Sequence, residues 1–174
     1  MPEALKGEAL RISRSFESEL LKVWTWSALA FFLSEKFRTE ILQEALELAR
    51  SIESDSSRAG ALTIILPHLA EPDRSAVLSE ALQAARDIES DFPRTRALEV
   101  ISPYLAQLSP AKLHPLWCHT LHFLAHRTRS ALVADLRTLW PVIEVLGGPN
   151  AISETAREIY EIGDWWENDI SQRP

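Results

Sequence analysis

A single cysteine, Cys118, stands among the 174 residues, so no disulfide forms within the chain, as expected in a reducing cytoplasm. Glycine is scarce as well: there are five, with one adjacent pair, Gly147-Gly148. That leaves no GxGxxG fingerprint, no glycine-rich phosphate loop and no GxSxG nucleophile elbow, and with them go the commonest signatures of nucleotide binding and acyl transfer. No run approaches the roughly 18 consecutive apolar residues of a membrane span. The opening MPEALKGEALRISRS carries charges where a secretory leader needs an apolar core. A basic excess is missing too. The net charge is −7, and both halves of the chain hold more carboxylates than cations. A surface that tracks phosphates therefore has no bulk electrostatic support. These absences point to a cytoplasmic, non-enzymatic chain whose partner is another protein, with no nucleic acid, membrane or cofactor.

What the chain does have is repetition. EALQAARDIESD, from Glu80 to Asp91, is preceded 36 residues earlier by EALELARSIESD (Glu44 to Asp55) and 36 earlier again by EALRISRSFESE (Glu8 to Glu19). A period of that length marks an array whose units bury their apolar faces only against their neighbours. Apolar residues recur at helical spacing on both sides of each motif, so each unit reads as two antiparallel helices. The expected fold is all-α, a right-handed α-solenoid of about four to five stacked helix pairs in one domain.

Residues 1–36 form an atypical first repeat or cap, with Trp26 where the next units have Leu62 and Leu98. Residues 37–72 and 73–109 are the regular units. In them Pro67 and Pro103 each kink or end a second helix, Asp73 is a plausible N-cap, and Pro93 suits a first helical turn. Residues 110–148 form a divergent unit with a helix at about 111–126. Its second helix runs through Trp140-Pro141 to the stop at Gly147-Gly148-Pro149. Residues 149–174 supply a last helix and an acidic tail, with Trp165-Trp166 expected to fold back over the final pair.

Aligning the units sorts residues by role. Leu10/Leu46/Leu82, Phe16/Ile52/Ile88, Leu29/Ile65/Ile101 and Leu33/Leu69/Leu105 stay apolar and belong between layers. Ala9/Ala45/Ala81 and Ser13/Ala49/Ala85 stay small and allow close approach. Arginine recurs at Arg14/Arg50/Arg86, continued by Arg157, and cations recur at Lys22/Arg58/Arg94, with Arg127 or Arg129 as a fourth member. These columns either grip an acidic ligand or pair with carboxylates of their own and neighbouring layers. Acidic residues repeat beside them at Glu17/Glu53/Glu89 and Glu19/Asp55/Asp91, which favours pairing.

One segment stands apart. His114, Cys118, His122 and His126 are spaced by four along one helix, with His119 close by, and imidazole and thiolate are good zinc ligands. A straight helix rotates such a stripe by about 40° per step, so one ion reaches two or three of them at most. A metal-binding or enzymatic use of this helix is the alternative to a protein-binding scaffold. The partner surface is expected on the second helices, around Thr95, Arg96, Glu99 and Arg129, with Trp165 and Trp166 at the end of the stack.

The pattern EALxxARxIESDxxRxxALxxIxPxL, read at 44–69 and 80–105, resembles the HEAT-like α-helical repeats of bacterial multidomain proteins. Those repeats often lie C-terminal to NACHT-type signalling ATPases or caspase-like peptidase domains. The ending LGGPNAISETAREIYEIGDWW is similar to the closing cap of such arrays. The resemblance implies a recognition or adaptor module, part of a signalling or defence system, acting on another protein or another domain of a larger assembly.

Overall fold

The computed structural model describes residues 3–160, and among them every regular element is helical. In chain order these are α1 (Glu3–Arg14), α2 (Glu19–Ala30), α3 (Glu35–Ser51), α4 (Asp55–Ile65), α5 (Asp73–Asp87), α6 (Asp91–Leu105), α7 (Pro110–Leu124), α8 (Arg129–Thr138) and α9 (Trp140–Gly147). A last helix, α10, occupies 151–160. None of these is long and apolar enough to cross a membrane. Trp165 and Trp166 lie outside the described residues.

The repeated motif encodes a corner rather than a site. Its EALxxAR half is helix. Its isoleucine, Ile52 or Ile88, is the C-cap, where ψ swings to 120° and 116° and the helix ends. The serine that follows, Ser54 or Ser90, is the N-cap of the next helix. Asp55 or Asp91 then opens that helix, its negative charge placed where the helix dipole favours it. Ser18, Ser54 and Thr128 each accept a hydrogen bond from the backbone N–H three residues on, satisfying one of the donors a helix start leaves orphaned.

Packing follows from these corners. The second helices α2, α4, α6 and α8 lie side by side, and α2 and α4 also pack on the first helix of the following pair. The buried face of each first helix is lined with small residues: Ala45, Ala49, Ala81 and Ala85 have no exposed surface, so backbones approach closely. Ile52, Ile65, Leu82, Ile88, Ile101 and Leu105 are buried as the alignment of units requires. Leu10, Phe16 and Leu29, in the first pair of helices described, are only half-buried. Leu46 and Leu69 are half-buried as well: they line an open groove of about 650 Å³ between α3 and α5.

Three local expectations change. Asp73 is the first residue of α5 rather than its cap, which is Pro72, following a cis Glu71–Pro72 bond. Pro67 tightens the end of α4 into a 3-10 turn, Leu66–His68, whereas Pro103 sits inside α6. The helix expected to run through Trp140-Pro141 is divided at Leu139 (φ −91°, ψ 9°) into α8 and α9. A proline cannot continue the ladder and restricts the residue before it. The stop at Gly147-Gly148 holds. Gly148 takes φ +77°, and a Cβ on Gly147 would stand 2.6 Å from Ala151 Cβ.

The first unit differs from the others by a matched pair of changes. Where they carry Ala49 with Leu62 and Ala85 with Leu98, it carries Ser13 with Trp26. The indole is buried, and its Nε1 donates to Ser13 Oγ at 2.8 Å, while that hydroxyl donates to Leu10 O at 2.9 Å. Ser13→Ala should cost about 1–3 kcal/mol in urea unfolding, because it leaves a buried indole N–H without an acceptor. A double-mutant cycle with Trp26→Leu should show coupling of about 1 kcal/mol. Additive losses would mean that the bond does not join the two residues.

Candidate partner-binding surface

Four members of the arginine columns, Arg14, Arg50, Arg58 and Arg94, are engaged within the scaffold. Arg50 Nε and Nη2 donate to the Glu80 carboxylate at 2.8 and 2.7 Å, and this fork raises the guanidinium above the usual arginine range. Arg14 makes the same reach, 30 residues along the chain, to Glu44 at 3.0 Å. The second column turns inward. Arg58 pairs with Asp55 and donates to Ile52 O, the carbonyl at the end of α3. Arg94 repeats this with Asp91 and with Ile88 O and Glu89 O at the end of α5.

Arg94 has a further partner. Its Nε donates to Asp135 Oδ2 at 2.8 Å, and both side chains are wholly buried between α6 and α8. Burial opposes the charge on Arg94, but its hydrogen bonds to Asp135 and Asp91 outweigh it, and the guanidinium holds its proton above its ordinary range.

Two features of this network escaped sequence reasoning. Arg38 and Arg74 form a third column, donating to Ala30 O and Leu33 O and to Leu69 O, the carbonyls at the ends of the preceding second helices. Their 36-residue separation was visible in the sequence. The other is Asp135. Its only signal was a carboxylate at a core phase of ALVADLRTLW.

The expected partner residues are dispersed in role. Thr95 is half-buried and donates to Asp135 Oδ1 at 2.6 Å, so it belongs to the lock between α6 and α8 rather than to an outer surface. Arg96 and Glu99 are exposed and pair with each other at 2.5 Å. Arg129 is exposed and donates to Ile159 O at 3.2 Å, tying α8 to α10. Arg127 donates to Glu89 O and lies over the Phe123 ring.

On the histidine helix, Leu113, Thr120 and Leu124 are buried, while His114, Cys118, His119, His122 and His126 are exposed. Cys118 Sγ stands 3.8 Å from the ring nitrogens of His114. His122 and His126 meet edge-on at 5.0 Å, and His126 Nδ1 bonds to His122 O. The stripe thus resolves into two pairs. Among the described residues no three His, Cys, Asp or Glu are grouped to hold a metal ion.

Left over on the second-helix row are large apolar side chains in solvent. Trp24 on α2 is 57% exposed, Phe31 just after it 69%, and Phe92 on α6 79%. Val100, Val133 and Trp140 are exposed farther along. Between α4 and α6 runs a shallow groove of about 340 Å³ with a floor of small residues, Ser56, Ala59 and Gly60, and with Phe92 and Val100 on its wall. Gly60 occupies the phase that Trp24 and Arg96 hold on the helices beside it. Comparison with protein-family models, with curated proteins and with solved structures finds no match for this chain.

Replacing Asp135 by Ala should lower unfolding free energy by about 3–5 kcal/mol, since it strands a buried guanidinium. Arg50→Gln, at an exposed pair, should cost no more than about 1 kcal/mol. Equal losses in urea titrations would show that burial is not what separates the two ion pairs.

Proposed function

We propose that this chain is a non-catalytic protein-binding scaffold, a recognition or adaptor module built as a right-handed, HEAT-like α-solenoid with a period of about 36 residues. The observation that carries the reading is the set of large apolar side chains exposed along the second helices, led by Trp24, Phe31 and Phe92. Large aromatics left in solvent, one of them on the wall of a small-floored groove, suit a surface that another protein covers, and aromatic anchors supply most of the binding energy at such surfaces. Extended rows of this kind are what stacked helix pairs present. The charges do not compete for this role, because most of the arginines are already engaged by carboxylates or helix ends. The resemblance of the repeats to those of bacterial signalling and defence proteins supports a place in a larger assembly of that class. The rival, a metal-dependent or enzymatic module on the histidine helix, has the His114–Cys118 contact in its favour and no third ligand among the described residues.

Trp24→Ser and Phe92→Ser test the reading. Each side chain is largely in solvent, so melting should stay within a few degrees of the parent. Binding of a stoichiometric partner recovered from the native host should weaken at least about tenfold, as expected for loss of an aromatic anchor. Unchanged affinity in both variants would move the binding surface elsewhere.

A further inference from the structure

The ladder of arginines across the first helices has a defective third rung. Arg14 reaches Glu44 and Arg50 reaches Glu80, each 30 residues on. Thirty residues beyond Arg86 stands Leu116. The Arg86 guanidinium goes instead one helical turn farther along α7, where Nη1 lies 2.7 Å from His119 Nδ1. An imidazole brings no negative charge, so it leaves the charge on Arg86 unbalanced. Among the described residues no carboxylate forms an ion pair with it; its chain neighbour Asp87 acts only at longer range.

Burial makes the defect matter. Arg14 and Arg50 are exposed, whereas Arg86 is buried between α5 and α7, with 7% of its surface in solvent. A guanidinium removed from water without an anion is unfavourable. Two more positive groups stand nearby. Arg127 Nη2 approaches Arg86 O, and Arg94 donates to Ile88 O two residues on, although Asp135 and Asp91 neutralise Arg94. Nε and Nη2 of Arg86 have no acceptor among the described residues. Neither atom is sealed off: the side-chain polar atoms wholly buried without a partner are Ser27 Oγ and Ser102 Oγ. Both donors therefore keep some contact with solvent, beside the exposed His119 ring.

We propose that Arg86, with His119, forms a carboxylate-binding subsite that an Asp or Glu side chain of the partner protein completes. The ligand class comes from the molecule itself, because a glutamate fills this place on both earlier rungs and, at Arg50, accepts from Nε and Nη2 together. A planar two-donor edge matches a carboxylate in that geometry. The proposal deepens the protein-binding reading and rests on it, and it places an acidic anchor on the first-helix side, away from the exposed aromatics.

The test uses the whole chain and needs no partner, so its failure is separate from a failure of the protein-binding reading. Arginine side-chain Nε–H signals are followed by NMR during titration with sodium acetate, sodium phosphate and a blocked Ala-Glu-Ala tripeptide, at constant ionic strength set with chloride. Acetate and the tripeptide should shift the Arg86 signal saturably, with a Kd on the order of 10 mM, the scale of one charge-assisted pair. The Arg96 signal should not follow. Arg86→Gln should abolish the response. His119→Glu, an exposed change that supplies the missing carboxylate, should raise the melting temperature and also abolish it. A response linear in acetate, or one that survives in Arg86→Gln, overturns the site. Tighter binding of phosphate than of acetate overturns the carboxylate assignment, and binding of acetate without the tripeptide overturns the partner as its source. A lower melting temperature for His119→Glu would overturn the claim that Arg86 lacks an anion.

Discussion

Every helix ends with carbonyls that have no partner of their own, and in this protein arginines from the following segments supply the donors. Arg38 and Arg74 close the ends of the α2 and α4 segments. Arg58 and Arg94 close α3 and α5, and Arg127 adds a second guanidinium at the end of α5. One long cation thus does two things at each of these four corners. It satisfies acceptors that burial would otherwise leave unbonded, and it sets the angle at which the next helix leaves. The hydrophobic seam of alanine, leucine and isoleucine supplies most of the driving force, but it is non-directional. The guanidinium geometry gives it direction.

That division of labour explains why the charged columns repeat as faithfully as the apolar ones. It also explains why departures from repetition are informative. A change in one column has to be answered elsewhere. Serine at 13 answers tryptophan at 26, giving the indole its acceptor. Asp135 answers the full burial of Arg94, where the corresponding Arg58 remains partly in water and has Asp55 alone. At Arg86 no carboxylate among the described residues answers the burial, and the His119 imidazole stands in its place. The first two departures are closed within the chain. The third is not closed by any carboxylate among the described residues.

Much of this was legible in the residues. The helical spacing and the paired glycines at 147 and 148 were readable because periodicity and glycine stops act locally, and the serine before an acid at 18, 54 and 90 was a start signal of the same local kind. The core columns were legible for the same reason: a residue's phase on a helix follows from its number. Reading failed where a local signal had two outcomes. Pro67 tightened a helix end, Pro103 was accommodated within a helix, and Pro141 divided one. Thr95 looked like a surface residue because its own helix says nothing of α8, from which Asp135 reaches it.

The sequence by itself determined that the described chain is helical, where its helices turn, and which phases are apolar, since those depend on contacts within a few residues. Only the tertiary structure decided which charges are neutralised and which are not. Arg14, Arg50 and Arg86 are alike in sequence. Two meet glutamates at the surface, while the third, with Leu116 at the corresponding position, is buried against His119 where α5 packs on α7, a contact that no local signal in either helix encodes.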